Sequence, residues 1–405
     1  MHIRVNRRGG MSFSLISLSS YVILPGSNDS GQGVKAGNVT PNLTVLSGVA
    51  APAGEGMERY YYGTMGKQEQ AVYRAMEQGF LALSEEFQVP RLEAKELSDV
   101  FFRLRLDHPE IFWVSGFHYR YYRESPNLIF VPEYLFDKGK IKEHKRAMEA
   151  RIEKLARPAM GFSELEKEKY VHDFICENVR YDKLKKAYSH ENIGPLGQGV
   201  GVCEGIAKAV KALCDALGLW CMIAVCGNNP EKGIKYLHTW NIVRIGKTYY
   251  HLDATFDNTL GEAGGEFRYD YFNLDDKSVF RDHEPLIAPA PVCPDGDHFY
   301  YKEKKLSFTK TEEVYKRALQ AAKKGKSLTF HWRGGYLTRA VLEEILDLVK
   351  KAGAEKGKAV RVGLNWPQAV LRLDYGTDTG ESQVVWEEAN EGEQEKKGET
   401  RWEWN

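Results

Sequence analysis

The sequence predicts an α+β fold, and three observations carry the prediction. Apolar residues at helical spacing (Ile206, Ala207, Val210, Leu213, Cys214, Leu217) follow the stretch Gly199-Val-Gly-Val-Cys203-Glu-Gly205 and stop at Gly218. Two runs rich in β-branched and aromatic residues, 239–245 and 248–256, flank Gly246-Lys247, which reads as a two-residue hairpin turn. Helical and strand patterns also occupy the chain on either side of this core, so flanking α+β and small α/β regions are expected.

The elements follow in order. Arg4, Arg7 and Arg8 precede an uncharged, partly apolar stretch from Gly9 to Asn28, the order of a secretory signal, although Met11 offers a second start. Residues 25–57 are rich in Gly, Ser, Asn, Pro and Ala and read as a linker, so 1–57 is a signal-like segment plus linker. An N-terminal α+β region is expected over 58–136. In it, Val72, Met76, Phe80, Leu83 and Phe87 mark a helix ended by Pro90, and Leu97, Val100, Phe101 and Leu104 mark another. Aromatic runs at 112–122 and 128–134 form a hairpin about Glu124-Ser-Pro-Asn127. The central domain, 137–308, opens with helices at 138–155 and 163–178. A small module at 309–375 reads helix, strand, helix, strand, strand, and 376–405 reads as an unstructured acidic tail.

The chemistry concentrates in the centre. Cys203 stands at a predicted helix N-terminus, where the partial positive charge favours a thiolate. Counting outward from Gly246-Lys247 pairs Ile245 with Thr248 and Trp240 with Asp253. His238 and Asp253 then share one face as diagonal neighbours, within reach of a hydrogen bond. His251 falls on the same face, further from His238, and reads as structural. A nucleophilic sulfur, an imidazole to deprotonate it and a carboxylate to orient the imidazole make a thiol catalytic triad. Gln198 and the backbone N–H of Cys203 are candidate oxyanion donors. Cys176, Cys214, Cys221 and Cys226 lie in apolar runs and read as buried. Glu204, next to Cys203, reads as exposed and screened by solvent.

Three ordered blocks resemble the transglutaminase-like superfamily, the circular relative of papain-like thiol enzymes. They are Val202-Cys203-Glu204-Gly205-Ile206-Ala207, His238-Thr239-Trp240-Asn241 and His251-Leu252-Asp253-Ala254-Thr255-Phe256-Asp257. Asn178-Val-Arg-Tyr181-Asp182 before them and Tyr271-Phe272-Asn273-Leu274 with His283 after them extend the likeness over about 162–283. Ile206, Thr239 and Phe256 depart from the bacterial pattern of Tyr, Ala and Trp. The resemblance implies a papain-like core, with the Cys helix packed on an antiparallel sheet bearing His and Asp. It also implies acyl chemistry on amide bonds of peptides or proteins, in the manner of a bacterial transglutaminase-like protein. Hydrolysis, as in a cysteine peptidase, is expected ahead of protein-glutamine transamidation, because the loops near the site are polar and Gly-containing. A non-catalytic binding or scaffold protein on the same fold is the alternative from another class.

Composition narrows the remaining classes. Lys plus Arg and Asp plus Glu are 56 each, so the net charge is zero and no basic stripe points to nucleic acid. Six cysteines without a Cys-x-x-Cys pair do not make a zinc or disulfide framework, and no metal or cofactor is expected. A secreted or cell-envelope location is expected ahead of a cytoplasmic one, with a peptide or protein as partner.

Overall fold

The computed structural model describes residues 59–387, apart from 123, 230, 232, 233, 235, 236, 263–266 and 377–382, together with strands at 3–5 and 11–16. The rest of the signal-like segment and linker, and the tail from 388, lie outside the described residues.

The N-terminal region begins with β1 (Ile3–Val5) and β2 (Met11–Ile16), followed by α1 (Tyr60–Thr64), α2 (Lys67–Leu81), β3 (Phe87–Pro90) and α3 (Ala94–Asp107). The hairpin β4 (Val114–Tyr121) and β5 (Asn127–Tyr134) completes an antiparallel sheet of order β1-β2-β4-β5-β3. One sequence expectation is corrected here. Phe87 does not extend α2 but starts a strand opposite Phe130. The helix ends because Leu83 takes φ 51°, a left-handed conformation that no helix continues through. The aromatic Phe87 then stacks on Phe130 with ring centroids 5.2 Å apart.

The central domain runs α4 (Lys138–Ala156), α5 (Glu164–Asn178), β6 (Arg180–Tyr181), β7 (Val200–Gly201) and α6 (Cys203–Ala216). Then come β8 (Cys221–Cys226), β9 (His238–Ile245), β10 (Thr248–Leu252), α7 (Ala254–Glu262), β11 (Phe272–Leu274) and α8 (Asp276–Val279). Strands β11-β10-β9-β8 form an antiparallel sheet, and α6 packs on β9 and β8. Asn241 on β9 donates to the carbonyl of Ala207 at 3.0 Å, which pins the start of the Cys203 helix to the strand that carries His238. Ile245 pairs with Thr248 across the turn, where Gly246 has φ 62°. Strand β10, however, stops at Leu252, and 254–262 is helical rather than a continuation of the strand. Asp253 causes the switch: its Oδ1 accepts from the backbone N–H groups of Thr255 (2.9 Å) and Phe256 (3.0 Å), as a helix N-cap does. This is a mixed α+β protein with the papain-like arrangement of a Cys-bearing helix on an antiparallel sheet.

The C-terminal module contains α9 (Tyr300–Glu303), β12 (Ser307–Phe308), α10 (Thr311–Lys324), β13 (Leu328–Trp332), α11 (Arg339–Ala354), β14 (Ala359–Asn365), β15 (Val370–Gly376) and β16 (Gln383–Trp386). Its sheet order is β12-β13-β15-β14-β16. Strand β16 pairs parallel with β14 and lies inside the stretch expected to be an unstructured tail. The Val384-Val385 pair that forms it is too short to stand out against the acidic sequence around it.

Two hydrophobic cores result. One is continuous from Tyr61 through the N-terminal sheet and the central domain to Tyr301 of α9 and also takes in Val370 of β15; the other fills the rest of the C-terminal module between Phe308 and Tyr375. Among the described residues no helix is long and apolar enough to cross a membrane.

Candidate active site

Cys203 is the first residue of α6, with Val202 as its N-cap. The chain reaches it through Gly199, whose φ of 67° suits glycine. Gly205 is demanded by packing: a β-carbon there would run into the carbonyl of Ser189. So Gly199 and Gly205 have separate structural causes, one conformational and one steric. The Cys203 thiol is buried, with 6% of the residue exposed, and its sulfur lies 3.9 Å from the carbonyl oxygen of Leu237. That contact sets the thiol beside the residue before His238, at the start of β9.

His238 is held on three sides. Its Nε2 is 2.6 Å from Asp253 Oδ2. Its ring stacks on Phe256 (centroids 4.5 Å apart, 24° between planes) and on Trp240 (5.7 Å, 20°). Trp240 is fixed in turn by donating its indole N–H to His251 Nδ1 at 2.9 Å, and His251 Nε2 faces Asp276 Oδ1 at 2.8 Å. His251 is therefore a neutral prop behind the stacked tryptophan; burial lowers its pKa more than Asp276 raises it.

Asp253 does more than meet one imidazole. Its Oδ2 also lies 2.9 Å from His283 Nε2, while Oδ1 caps α7. Burial alone would raise this carboxyl, but His238 and His283 outweigh burial and hold it well below the usual carboxylate range. His283 Nδ1 in turn faces Asp282 Oδ1 at 2.9 Å. Sequence reading placed His283 only as a flank of the family-like stretch. The acid–imidazole pair Asp282-His283 is the only local signal, and its engagement with Asp253 needs the intervening chain to be folded.

Glu204 corrects another expectation. It is buried, not solvent-screened: Lys208 Nζ lies 2.8 Å from Oε1, His190 Nδ1 3.2 Å from Oε2, and Arg105 of α3 3.6 Å away. Burial opposes its ionisation, and Lys208, the hydrogen bond from His190 and Arg105 together overcome that and hold it low. The negative charge beside Cys203 is thus matched inside the protein. Gln198 is exposed at the end of the turn before β7. Among the described residues no hydrogen bond ties it to Cys203, His238 or Asp253. The N–H groups at the start of α6, beside the sulfur, remain the candidate oxyanion donors.

All six cysteines are free thiols, and five are buried. Cys176 is half-buried, with its sulfur 3.6 Å from His172 Nε2, and burial pushes its thiol upward.

Two groups of described residues bring three metal-capable donors within 4.8 Å: His238, Asp253, His283 and His251, Asp276, Cys293. In the first, imidazole nitrogens lie 2.6 and 2.9 Å from one carboxylate oxygen. A tetrahedral zinc with bonds near about 2.1 Å would hold such atoms more than about 3 Å apart. The spacing is that of hydrogen bonds. In the second, both nitrogens of His251 are already engaged by Trp240 and Asp276.

Residues 153–254, about a quarter of the 405-residue chain, match the family model of the transglutaminase-like superfamily. The matched segment contains Cys203, His238 and Asp253. Over this segment the chain is similar to the transglutaminase-like superfamily. No curated protein matches it. Two solved structures are similar in part. One, a candidate cysteine protease from Cytophaga hutchinsonii, is 16% identical over 33% of this chain and 60% of its own, with a TM-score of 0.23. The other, a TGase, is 11% identical over 42% of this chain and 50% of its own, with a TM-score of 0.22. The chain thus spans about half to three fifths of those proteins, and likeness at this level bears on neither activity nor substrate.

Proposed function

We propose that this transglutaminase-like chain is a thiol acyl-transfer enzyme acting on amide bonds of peptides or proteins. The observation that carries the reading is the 2.6 Å contact of His238 Nε2 with Asp253 Oδ2, beside a cysteine at a helix N-terminus. With Nε2 committed to the carboxylate, Nδ1 is the nitrogen left to exchange a proton with the sulfur. The Cys203 thiolate attacks the amide carbonyl and a carbon–sulfur bond forms. The negative charge that develops on the carbonyl oxygen meets the N–H groups at the start of α6. His238 then protonates the leaving amine as the carbon–nitrogen bond breaks. Water adds to the thioester, His238 takes its proton, and the carboxylic acid leaves as the thiol is restored. An amine in place of water would give transamidation. Hydrolysis is favoured because a water-excluding passage for an amine needs apolar walls, whereas the loop leading to Cys203 exposes Gly197 and Gln198.

The test is a peptide and amine-donor library incubated with wild-type protein, Cys203→Ala and Asp253→Asn. The expected result is wild-type release of peptide acids without amine incorporation. Cys203→Ala should abolish it, and Asp253→Asn should reduce it by at least about a hundredfold. Turnover that survives Cys203→Ala would overturn the proposal, and dominant amine incorporation would replace hydrolysis by transamidation.

A further inference from the structure

The triad does not end at Asp253. Beyond it lie His283 and Asp282, with Nε2 of His283 2.9 Å from Asp253 Oδ2 and Nδ1 2.9 Å from Asp282 Oδ1. Each ring nitrogen faces a carboxylate, so each is best used as an N–H donor, and an imidazole with two N–H groups carries a positive charge. The two carboxylates raise the His283 pKa although burial lowers it, which agrees with that state.

The surroundings are defined on every side. Asp253 faces His283 from the junction of β10 and α7. His238 and Trp240 face it from β9, with centroids 5.2 and 4.7 Å from its own. Phe256 of α7 lies at 4.8 Å and Tyr271, just before β11, at 5.7 Å. Tyr271 donates its hydroxyl to Asp282 Oδ2 at 2.6 Å, and Gln368 of the C-terminal module donates to both Asp282 oxygens at 3.2 Å. His251 on β10 is a more distant neutral imidazole. Among the described residues no other cation makes an ion pair with Asp253 or Asp282.

We propose that His283 is a positioning and charge-setting residue of the active site: an imidazolium behind Asp253 that fixes the carboxylate and limits its hold on the proton of His238. This inference rests on the thiol-enzyme reading and adds a fourth residue to it. In the reactive state the charges alternate from sulfur to His238, Asp253, His283 and Asp282. Without the charge on His283, Asp253 would bind the His238 proton more tightly. Removing a nearby positive charge also makes every acid around it harder to deprotonate, so the sulfur would ionise at higher pH as well.

The test substitutes His283→Gln, which keeps an N–H donor near Asp253 and removes the charge. The readout is the rate of Cys203 alkylation by iodoacetamide across pH, located by mass spectrometry. It needs no knowledge of the substrate. Both limbs of the pH profile should move to higher pH by about one unit or more. A merely structural role would lower the amplitude and leave the limbs in place, and that result overturns the inference. In selectively 15N-His-labelled wild-type protein, His283 should give the nitrogen shifts of a doubly protonated ring at pH 7. A neutral ring overturns the inference even if the variant does not fold. Should wild-type Cys203 show no enhanced reactivity at any pH, the thiol-enzyme reading itself fails. Should wild type show it while the limbs stay fixed in His283→Gln, only the role of His283 fails.

Discussion

Asp253 serves three neighbours with two oxygens: Oδ1 caps α7, and Oδ2 takes His238 and His283. This is why Asp253→Asn should be severe for reactivity and milder for folding. An asparagine oxygen can still cap the helix, but its amide presents hydrogens to two imidazoles that both need an acceptor. At this scale the sequence was informative wherever the partners are local. Cys203 declares itself by a helix start, and His238 and Asp253 by position about a two-residue turn. It was uninformative where partners are remote. Glu204 looks like an exposed carboxylate until Arg105, His190 and Lys208 close around it, and Arg105 comes from another region of the chain. Phe256, a departure from the bacterial family pattern, is the ring stacked closest on His238, and no periodicity reveals that.

Among the elements, α5 carries a pH-sensitive feature. Glu168 is fully buried, its only described hydrogen bond comes from Asn273 Nδ2 at 2.9 Å, and burial pushes its carboxyl up to about 8. The unfolded chain would ionise it near 4.5, so the folded state holds the extra proton between these values. Stability from this residue is intact below about pH 4.5 and is lost as pH rises toward 8, after which the loss levels off. Glu168→Gln, which keeps an acceptor for Asn273 and cannot ionise, should match wild type near pH 5 and exceed it by a few kcal/mol above pH 8. Urea unfolding at the two pH values reads this; a constant difference would contradict it. Element identities were legible where apolar periodicity runs long, as in α3, α6, α10 and α11. They were misread at two switches. Capping by Asp253 turns an apparent strand into α7, and the left-handed Leu83 ends α2 early and frees Phe87 for the sheet. Both are decided by one residue's backbone or side chain rather than by a period.

For the whole molecule, the N-terminal region and the central domain share one hydrophobic core. They also share buried charges. Arg105 of α3 pairs with Glu191 and approaches Glu204, and Lys208 reaches both carboxylates. Two cations thus answer two carboxylates directly behind Cys203, with His190 at the margin. Arg105→Met would leave Glu191 and Glu204 with Lys208 alone. It should cost about 3–5 kcal/mol of stability, the usual consequence of breaking a buried ion pair from one side. Chemical denaturation measures it, and a change below about 1 kcal/mol would mean that the two regions are not electrostatically joined there. The C-terminal module has its own core but sends Asn365 to Asp270 and Gln368 to Asp282, so it too reaches the polar chain behind Asp253. The sequence marks the module's helices and strands and gives no sign of these long-range contacts.

The central claim is that Cys203, unlike the other thiols, is activated by His238. Cys176 is the natural internal control, since it is more exposed and also lies beside an imidazole, yet burial pushes its thiol upward. Limiting iodoacetamide at mildly acid pH, followed by digestion and mass spectrometry, compares all six cysteines in one sample. Cys203 should be modified first, well ahead of Cys176, and His238→Ala should slow it strongly while leaving the others unchanged. Comparable labelling of Cys176 and Cys203, or indifference of Cys203 to His238→Ala, would contradict the claim.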